Sequence, residues 1–250
     1  MTFGGGAAGG SGRSRLISQP TPIPVAIGKT STSMMPTRAS TTTMLQLLPW
    51  RRPSDRSACF THRMTGPATR VTAGTSRGRL LKTPPGRATR PTTALVREAL
   101  FNIIGDSIRG ARVLDLFAGA GTLGVEALSR GATSATFVER DRACATIVAE
   151  NLAATGFAQQ GDVANADAID WLRAHDSDLG AYNLLLLDPP YQDSATLAAA
   201  LQALDRAPLR NEALLVVEHH RGQPLPALQR LSLVRDRDYG ATRLTFLRYQ

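Results

Sequence analysis

The twelve residues from Val113 to Gly124, VLDLFAGAGTLG, constrain this chain more than any other stretch. Val113, Leu114, Leu116 and Phe117 make an apolar run of strand length, interrupted by Asp115. Three glycines follow at G-x-G-x-x-G spacing (Gly119, Gly121, Gly124), and then a helical pattern begins. A strand that ends in glycines and feeds a helix N-terminus has the form of a nucleotide-cofactor loop. Glycine lets the backbone approach a ligand closely, and the free N–H groups of the first helical turn point at it. The spacing alone does not choose the cofactor.

From Ala111 onward, strand and helix patterns alternate, which implies a parallel sheet covered on both faces. The strands are expected at 113–117, 136–139, 160–166, 182–188 and 213–218, with helices at 123–130, 143–155, 168–174 and 195–204 between them. Two further strand-like segments, 231–237 and 242–249, close the pattern through Tyr239-Gly240. Seven strands ending in an antiparallel pair differ from a six-stranded dinucleotide fold. Ahead of the first strand, Pro91 is expected to open a helix, capped by Thr92 or Thr93 and ended by Gly105. Its apolar face reads as Leu95, Ala99, Leu100, Ile103 and Ile104. Arg97 and Glu98 read either as lining the cofactor or substrate side or as an exposed charged pair.

Charge divides the chain unevenly. Residues 1–90 hold 14 Lys and Arg against one acid, and the remaining 160 hold 15 against 19. A basic appendage on a near-neutral globular part suggests a polyanionic partner, nucleic acid first. Residues 1–63 are rich in Gly, Ser, Thr and Pro, lack periodicity and read as a disordered leader. An organelle transit peptide and an RNA-binding tail are open readings; translation beginning at Met64 is the favoured one. Residues 64–90 read as a basic arm or hairpin, with Val71, Leu80 and Leu81 as apolar anchors and glycines at its turns. Arg77, Arg79, Lys82, Arg87 and Arg90 are its candidate phosphate-neutralising groups. Two cysteines, Cys59 and Cys144, support neither a disulfide framework nor a four-ligand zinc site, so no metal is expected and a reducing compartment, the cytoplasm, is. No run of about 18 apolar residues is present to span a membrane.

Glu139 ends the second strand, 18 residues after Gly121, where a carboxylate can accept both hydroxyls of a ribose; Arg140 follows it. Asp167 reads as an acceptor for an adenine amino group, as a helix N-cap, or as both. These features fit NAD and S-adenosylmethionine equally. Asp188-Pro189-Pro190-Tyr191, directly after the apolar run Leu184 to Leu187, discriminates between them. Two prolines supply no N–H and stiffen the turn, which leaves carbonyl acceptors beside the Asp188 carboxylate. An exocyclic –NH2 matches that cluster, and Tyr191 offers a ring on which its base could stack.

Asp-Pro-Pro-Tyr after strand four, with the Phe117-Ala118-Gly119 loop after strand one, resembles the amino-group S-adenosylmethionine-dependent methyltransferases. Arg77-Gly78-Arg79, Pro84-Pro85-Gly86, Thr89-Arg90-Pro91-Thr92, the run Val96 to Asn102, Leu114 to Gly119 and Glu126 to Gly131 narrow the likeness to the RsmD family, from about Val71 onward. The resemblance implies a Rossmann-like seven-stranded methyltransferase domain over 91–250 that methylates N2 of a guanine in 16S ribosomal RNA. It implies S-adenosylmethionine binding by Asp115, Phe117, Ala118, Gly119, Gly121, Gly124, Glu139, Arg140 and Asp167, and catalysis by Asp188, Pro189, Pro190 and Tyr191. The expected protein is a monomer acting on 16S rRNA in a small subunit or an assembly intermediate. N6-adenine methylation of DNA or RNA is the alternative. An NAD-dependent oxidoreductase would leave Asp188 to Tyr191 unexplained, and a non-catalytic RNA-binding protein would transfer no methyl group.

Overall fold

The computed structural model describes residues 69–84 and 94–250. The leader at 1–63, Pro85, Gly86, Arg87, Arg90 and the helix start at Pro91 to Thr93 lie outside the described residues. The described residues belong to one compact unit, Phe60–Gln250.

The four leucines of Leu184–Leu187 are all buried. A strand buried on both faces is central in a covered parallel sheet. Numbered in chain order, the short strands β1 (Thr69–Arg70) and β2 (Leu80–Leu81) precede β3 (Arg112–Asp115), β4 (Ser134–Val138), β5 (Gly161–Ala164), β6 (Leu184–Leu187), β7 (Leu214–His220), β8 (Leu231–Tyr239) and β9 (Thr242–Tyr249). The helices are α1 (Ala94–Ile104), α2 (Thr122–Ser129), α3 (Arg142–Thr155), α4 (Ala168–Ala174) and α5 (Ser194–Arg206). The seven-stranded sheet runs β5-β4-β3-β6-β7-β9-β8. Its first five strands are parallel, and β9 is antiparallel to both β7 and β8. The expected seven strands and terminal antiparallel pair are present, with boundaries shifted by a few residues; α4 and β9 keep the expected ones. From β3 the chain moves outward to β4 and β5, then returns to the other side of β3 as β6. That reversal opens a crevice at the carboxyl ends of β3 and β6.

Side chains alternate between two cores. Leu184, Leu186 and Val216 face a cluster built with α1, α2 and α3; Leu185, Leu187, Leu215 and Val217 face one built with α4 and α5. Each fully buried leucine contributes about 1.5–3 kcal/mol. Helix ends use local chemistry. The Asp141 carboxylate accepts from the Ala143 and Cys144 amides, and Asp167 accepts from Ile169 and Asp170. Gly156, at positive φ, ends α3. Cys144 is a buried packing residue.

The β1–β2 hairpin is docked on the domain. Val71 and Leu81 join the α1–α3 core, whereas Leu80, expected as a third anchor, is 52% exposed. Two strand residues on each side cannot stabilise a hairpin alone, and polar contacts hold this one. The Thr72 and Ala73 amides donate to the Glu126 carboxylate on α2 (2.8 and 3.0 Å), and so does the Thr72 hydroxyl (2.6 Å). Ser76 Oγ donates to the Thr155 carbonyl, and Asn151 accepts from the Lys82 amide. At Gly74, where φ is +84°, a Cβ would overlap the Ser129 carbonyl.

The face expected for α1 is corrected by the same contacts. Leu95 is 69% exposed, and Val96, Arg97, Leu100, Phe101 and Ile104 are buried. Arg97 is only 1% exposed because its guanidinium lies 3.5 Å from Glu126 and donates to the Arg70 carbonyl at 2.7 Å. Burial holds its pKa below the ordinary value although Glu126 opposes the shift. Glu98 points to solvent. Among the described residues no helix is long and apolar enough to cross a membrane.

On the opposite core, Asp205 near the end of α5 accepts backbone N–H groups from Gln229, Arg230 and Leu231 at 2.8–2.9 Å, which fastens the approach to β8. Burial disfavours its charge, but these three bonds outweigh burial and hold the pKa below 3.8. A depressed carboxylate pKa contributes stability that is present above the unfolded value and lost as pH falls through the folded one. Asp205→Ala is therefore expected to lower stability by about 2 kcal/mol at neutral pH. Urea unfolding should show the gap between wild type and variant closing below about pH 4.

Candidate active site

The carboxyl ends of β3 and β6 are adjacent, with Asp115 paired to Leu186 and the Leu116 amide bonded to the Leu186 carbonyl at 3.0 Å. The fold thereby brings the loop Phe117 to Gly124 beside Asp188 to Tyr191. Phe117 is half-buried against the α4–α5 core, and the Ala118 amide donates to the Val138 carbonyl, tying the loop to β4. The three glycines do different work. Gly119 has φ +55° and open space where a Cβ would stand, which is the side from which a ligand can approach. Gly121, at φ +77°, makes the left-handed residue that starts α2. A Cβ on Gly124 would overlap the Phe137 ring, so this glycine sets how closely α2 packs on β4.

Two carboxylates brace the loop. Asp115 Oδ2 accepts from the Gly124 amide at 2.9 Å, while its Oδ1 is buried without a hydrogen-bond partner among the described residues. Burial, opposed by the Gly124 bond and reinforced by the Glu139 charge, raises the Asp115 pKa to about 7. Glu139, just past β4, accepts from the Gly119 amide at 2.9 Å and from the Asp141 amide at 2.7 Å through different oxygens. Each oxygen keeps a lone pair, which is what two neighbouring hydroxyls require. Arg140 is exposed, and its carbonyl and that of Glu139 accept from Asn165 Nδ2. Asp167 caps α4 through Oδ1 alone, which leaves its second oxygen as an acceptor at the same edge.

Past β6, Asp188 is half-buried and Pro190 exposed. The Pro190 carbonyl accepts from the Asp193 amide at 2.8 Å, which closes the turn; the Pro189 carbonyl accepts no such bond among the described residues. Tyr191 is half-buried and its hydroxyl is held, 3.2 Å from Glu218 Oε1 and 2.6 Å from Thr242 Oγ1. Burial, with the Glu218 and Asp188 charges, raises its pKa to about 12 although the Thr242 bond opposes this. The phenol is therefore protonated throughout the working range. Its ring meets the edge of His220 at 6.2 Å between centroids.

Sequence reasoning did not single out Glu218, Thr242, Asn151 or Asn165. An acid at the end of the apolar run 213–218 was the available signal for Glu218. The two asparagines declare themselves only through backbone partners distant in sequence. Of the candidate phosphate-binding cations, Arg77 and Arg79 are exposed on the hairpin and pair with no carboxylate among the described residues. Lys82 pairs with Glu150 at 2.9 Å.

The family model described as conserved hypothetical protein 95 matches residues 69–248. The ribosomal RNA small subunit methyltransferase D of Escherichia coli is 38% identical over 159 residues, which cover 64% of this chain and 78% of that protein. The solved structure of Escherichia coli yhhF matches with a TM-score of 0.63 and 36% identity over 74% of this chain and 99% of its own. An RNA methyltransferase from Salinibacter ruber, solved with S-adenosyl-L-homocysteine, shares the fold at a TM-score of 0.50 and 15% identity, covering 64% of this chain and 93% of that one.

Asp115 gives the site a pH signature. A carboxylate whose folded pKa is raised destabilises the fold once it must ionise. Its cost grows as pH rises from the unfolded value of about 4 and is complete above the folded value of about 7. Asp115→Asn is expected to be more stable than wild type at pH 8 by up to ~4 kcal/mol. Urea midpoints measured from pH 4 to 9 should show the advantage shrinking to near zero at pH 4.

Proposed function

The chain belongs to the conserved hypothetical protein 95 family, and from that premise we propose that it is an rRNA methyltransferase acting on N2 of a guanine in small-subunit ribosomal RNA. S-adenosylmethionine is the methyl donor. When bound, it supplies a methyl group activated by a cationic sulfonium. The residues suit such a nucleoside: a glycine loop open at Gly119, a Glu139 carboxylate with a spare lone pair on each oxygen, and the buried Asp115 Oδ1, which has no partner among the described residues.

The observation that carries the reading is the acceptor pair after β6. Asp188 and the Pro189 carbonyl stand at the carboxyl edge beside the glycine loop, in a turn whose prolines donate nothing. They can accept the two hydrogens of an exocyclic amine. Holding both N–H groups this way favours a pyramidal nitrogen, whose lone pair is less delocalised into the ring and can face the donor. Asp188 orients the amine and stabilises the positive charge that develops on nitrogen as it gains its fourth bond and the methyl–sulfur bond of the donor breaks; the proton leaves to water afterwards. Orientation of this kind can supply about 7–11 kcal/mol of the barrier. Tyr191 presents its ring, not its hydroxyl, to the base. Arg77 and Arg79 on the docked hairpin neutralise phosphates of the RNA, together with Arg87 and Arg90, so binding weakens with salt.

Small ribosomal subunits lacking the modification, incubated with radiolabelled S-adenosylmethionine and digested to nucleosides, test the reading. Label in N2-methylguanosine is expected, and Asp188→Ala should reduce the rate by about 10²-fold or more. Label in N6-methyladenosine would keep the enzyme class and overturn the substrate. Absence of label on subunits, naked RNA and DNA would overturn the activity.

A further inference from the structure

Tyr191 belongs to the loop after β6, but its hydroxyl is bound by two residues of the next strands. Glu218 lies near the carboxyl end of β7, and Thr242 is the first residue of β9, paired with His220. Both are buried, at 5% and 2% exposure. Hydrogen placement follows from chemistry. A carboxylate oxygen only accepts, so the phenol donates its proton to Glu218, and the Thr242 hydroxyl donates to the phenol oxygen. The phenol stays protonated over the working pH range. The ring is fixed at both ends, by its backbone in the turn and by its hydroxyl in the sheet, with the His220 edge against it.

We infer that Glu218 and Thr242 are positioning residues for the methyl-transfer site: by holding the Tyr191 hydroxyl they lock the Asp188 to Tyr191 turn in the form that receives the amine. The inference rests on the reading proposed above. The turn needs such a lock because its prolines donate no hydrogen bond and Pro190 stands in solvent. The bond from the Asp193 amide to the Pro190 carbonyl is a second tie on the turn. Glu218 also acts electrostatically on Arg97, the buried cation that holds the β1–β2 hairpin through Glu126 and the Arg70 carbonyl.

A double-mutant cycle on the full chain tests this, with Tyr191→Phe, Glu218→Gln, their combination, and Thr242→Val. The Phe variant keeps the ring and loses only the hydroxyl. It is expected to lower kcat by about tenfold, with the dissociation constant for S-adenosylmethionine, measured by calorimetry, unchanged within about twofold. Thr242→Val should act in the same direction. In the Phe background, Glu218→Gln should add little further loss, because its route to the turn is already cut. Hydrogen exchange of the Tyr191, Gln192 and Asp193 amides, read without any substrate, should speed up about tenfold in Tyr191→Phe and Thr242→Val while the β6 amides stay protected. Full kcat in Tyr191→Phe, or losses that multiply in the double variant, would overturn the lock. If wild type transfers no methyl group, the proposed function fails. The exchange experiment then still decides whether the lock exists: unchanged exchange in both variants would overturn it. Should Glu218→Gln fail to fold, the cycle between Tyr191→Phe and Thr242→Val gives the same test.

Discussion

The carboxylate of Glu126 is the junction on which the N-terminal part of the domain depends. It is 1% exposed and receives two backbone amides and a hydroxyl from the hairpin, the Arg130 guanidinium at 2.8 Å, and the Arg97 guanidinium at 3.5 Å. A charge taken out of water is tolerable only when its lone pairs are used this fully. The hairpin in turn has too few strand residues to persist without it. Arg130 also covers the Phe101 ring at 5.1 Å, so the cluster meets the apolar core without a polar gap. One side chain on α2 thus joins the hairpin, α1 and α2 into a single packed layer.

The sheet order assembles the rest of the site. Because β4 and β5 are laid on one side of β3 and β6 and β7 on the other, the loops after β3 and β6 become neighbours although about 70 residues separate them. Asn151 extends the connection: its amide donates to the Ala120 carbonyl in the glycine loop and to the Lys82 carbonyl at the hairpin exit. The element that would hold the cofactor and the element that carries exposed cations therefore share one side chain.

Features with a short-range cause were legible in the sequence. The hydrophobic pattern with Asp167 as cap gave the limits of α4, and alternation gave β9, because both signals lie within a few residues of the element they define. The glycine loop and Asp188 to Tyr191 were legible for the same reason. What failed was long-range. The periodicity of α1 put Leu95 inside and left Arg97 open between two readings; the structure reverses Leu95 and buries Arg97, because Glu126, 29 residues later, makes the burial of a cation favourable. Glu218 and Thr242 were missed likewise, since their meaning depends on Tyr191, which reaches them only across the sheet. Hydrophobic patterning locates elements; buried polar partners decide their faces, and no local window contains both partners.

The position of β9 bears on how the molecule is made. Synthesis delivers β8 before β9, yet β9 lies inside the sheet and β8 at its edge. While β8 waits, Leu233 and Val234, exposed even in the finished fold at 62% and 50%, belong to an unpaired strand. The two strands are joined through the tight turn at Gly240 and pair with each other over most of their length. Local closure of that hairpin is fast, and it can then dock as a unit on the open side of β7. Docking carries Thr242 to Tyr191. β9 therefore completes both the sheet and the hold on the turn after β6, and a chain still in synthesis has its glycine loop before that turn is fastened.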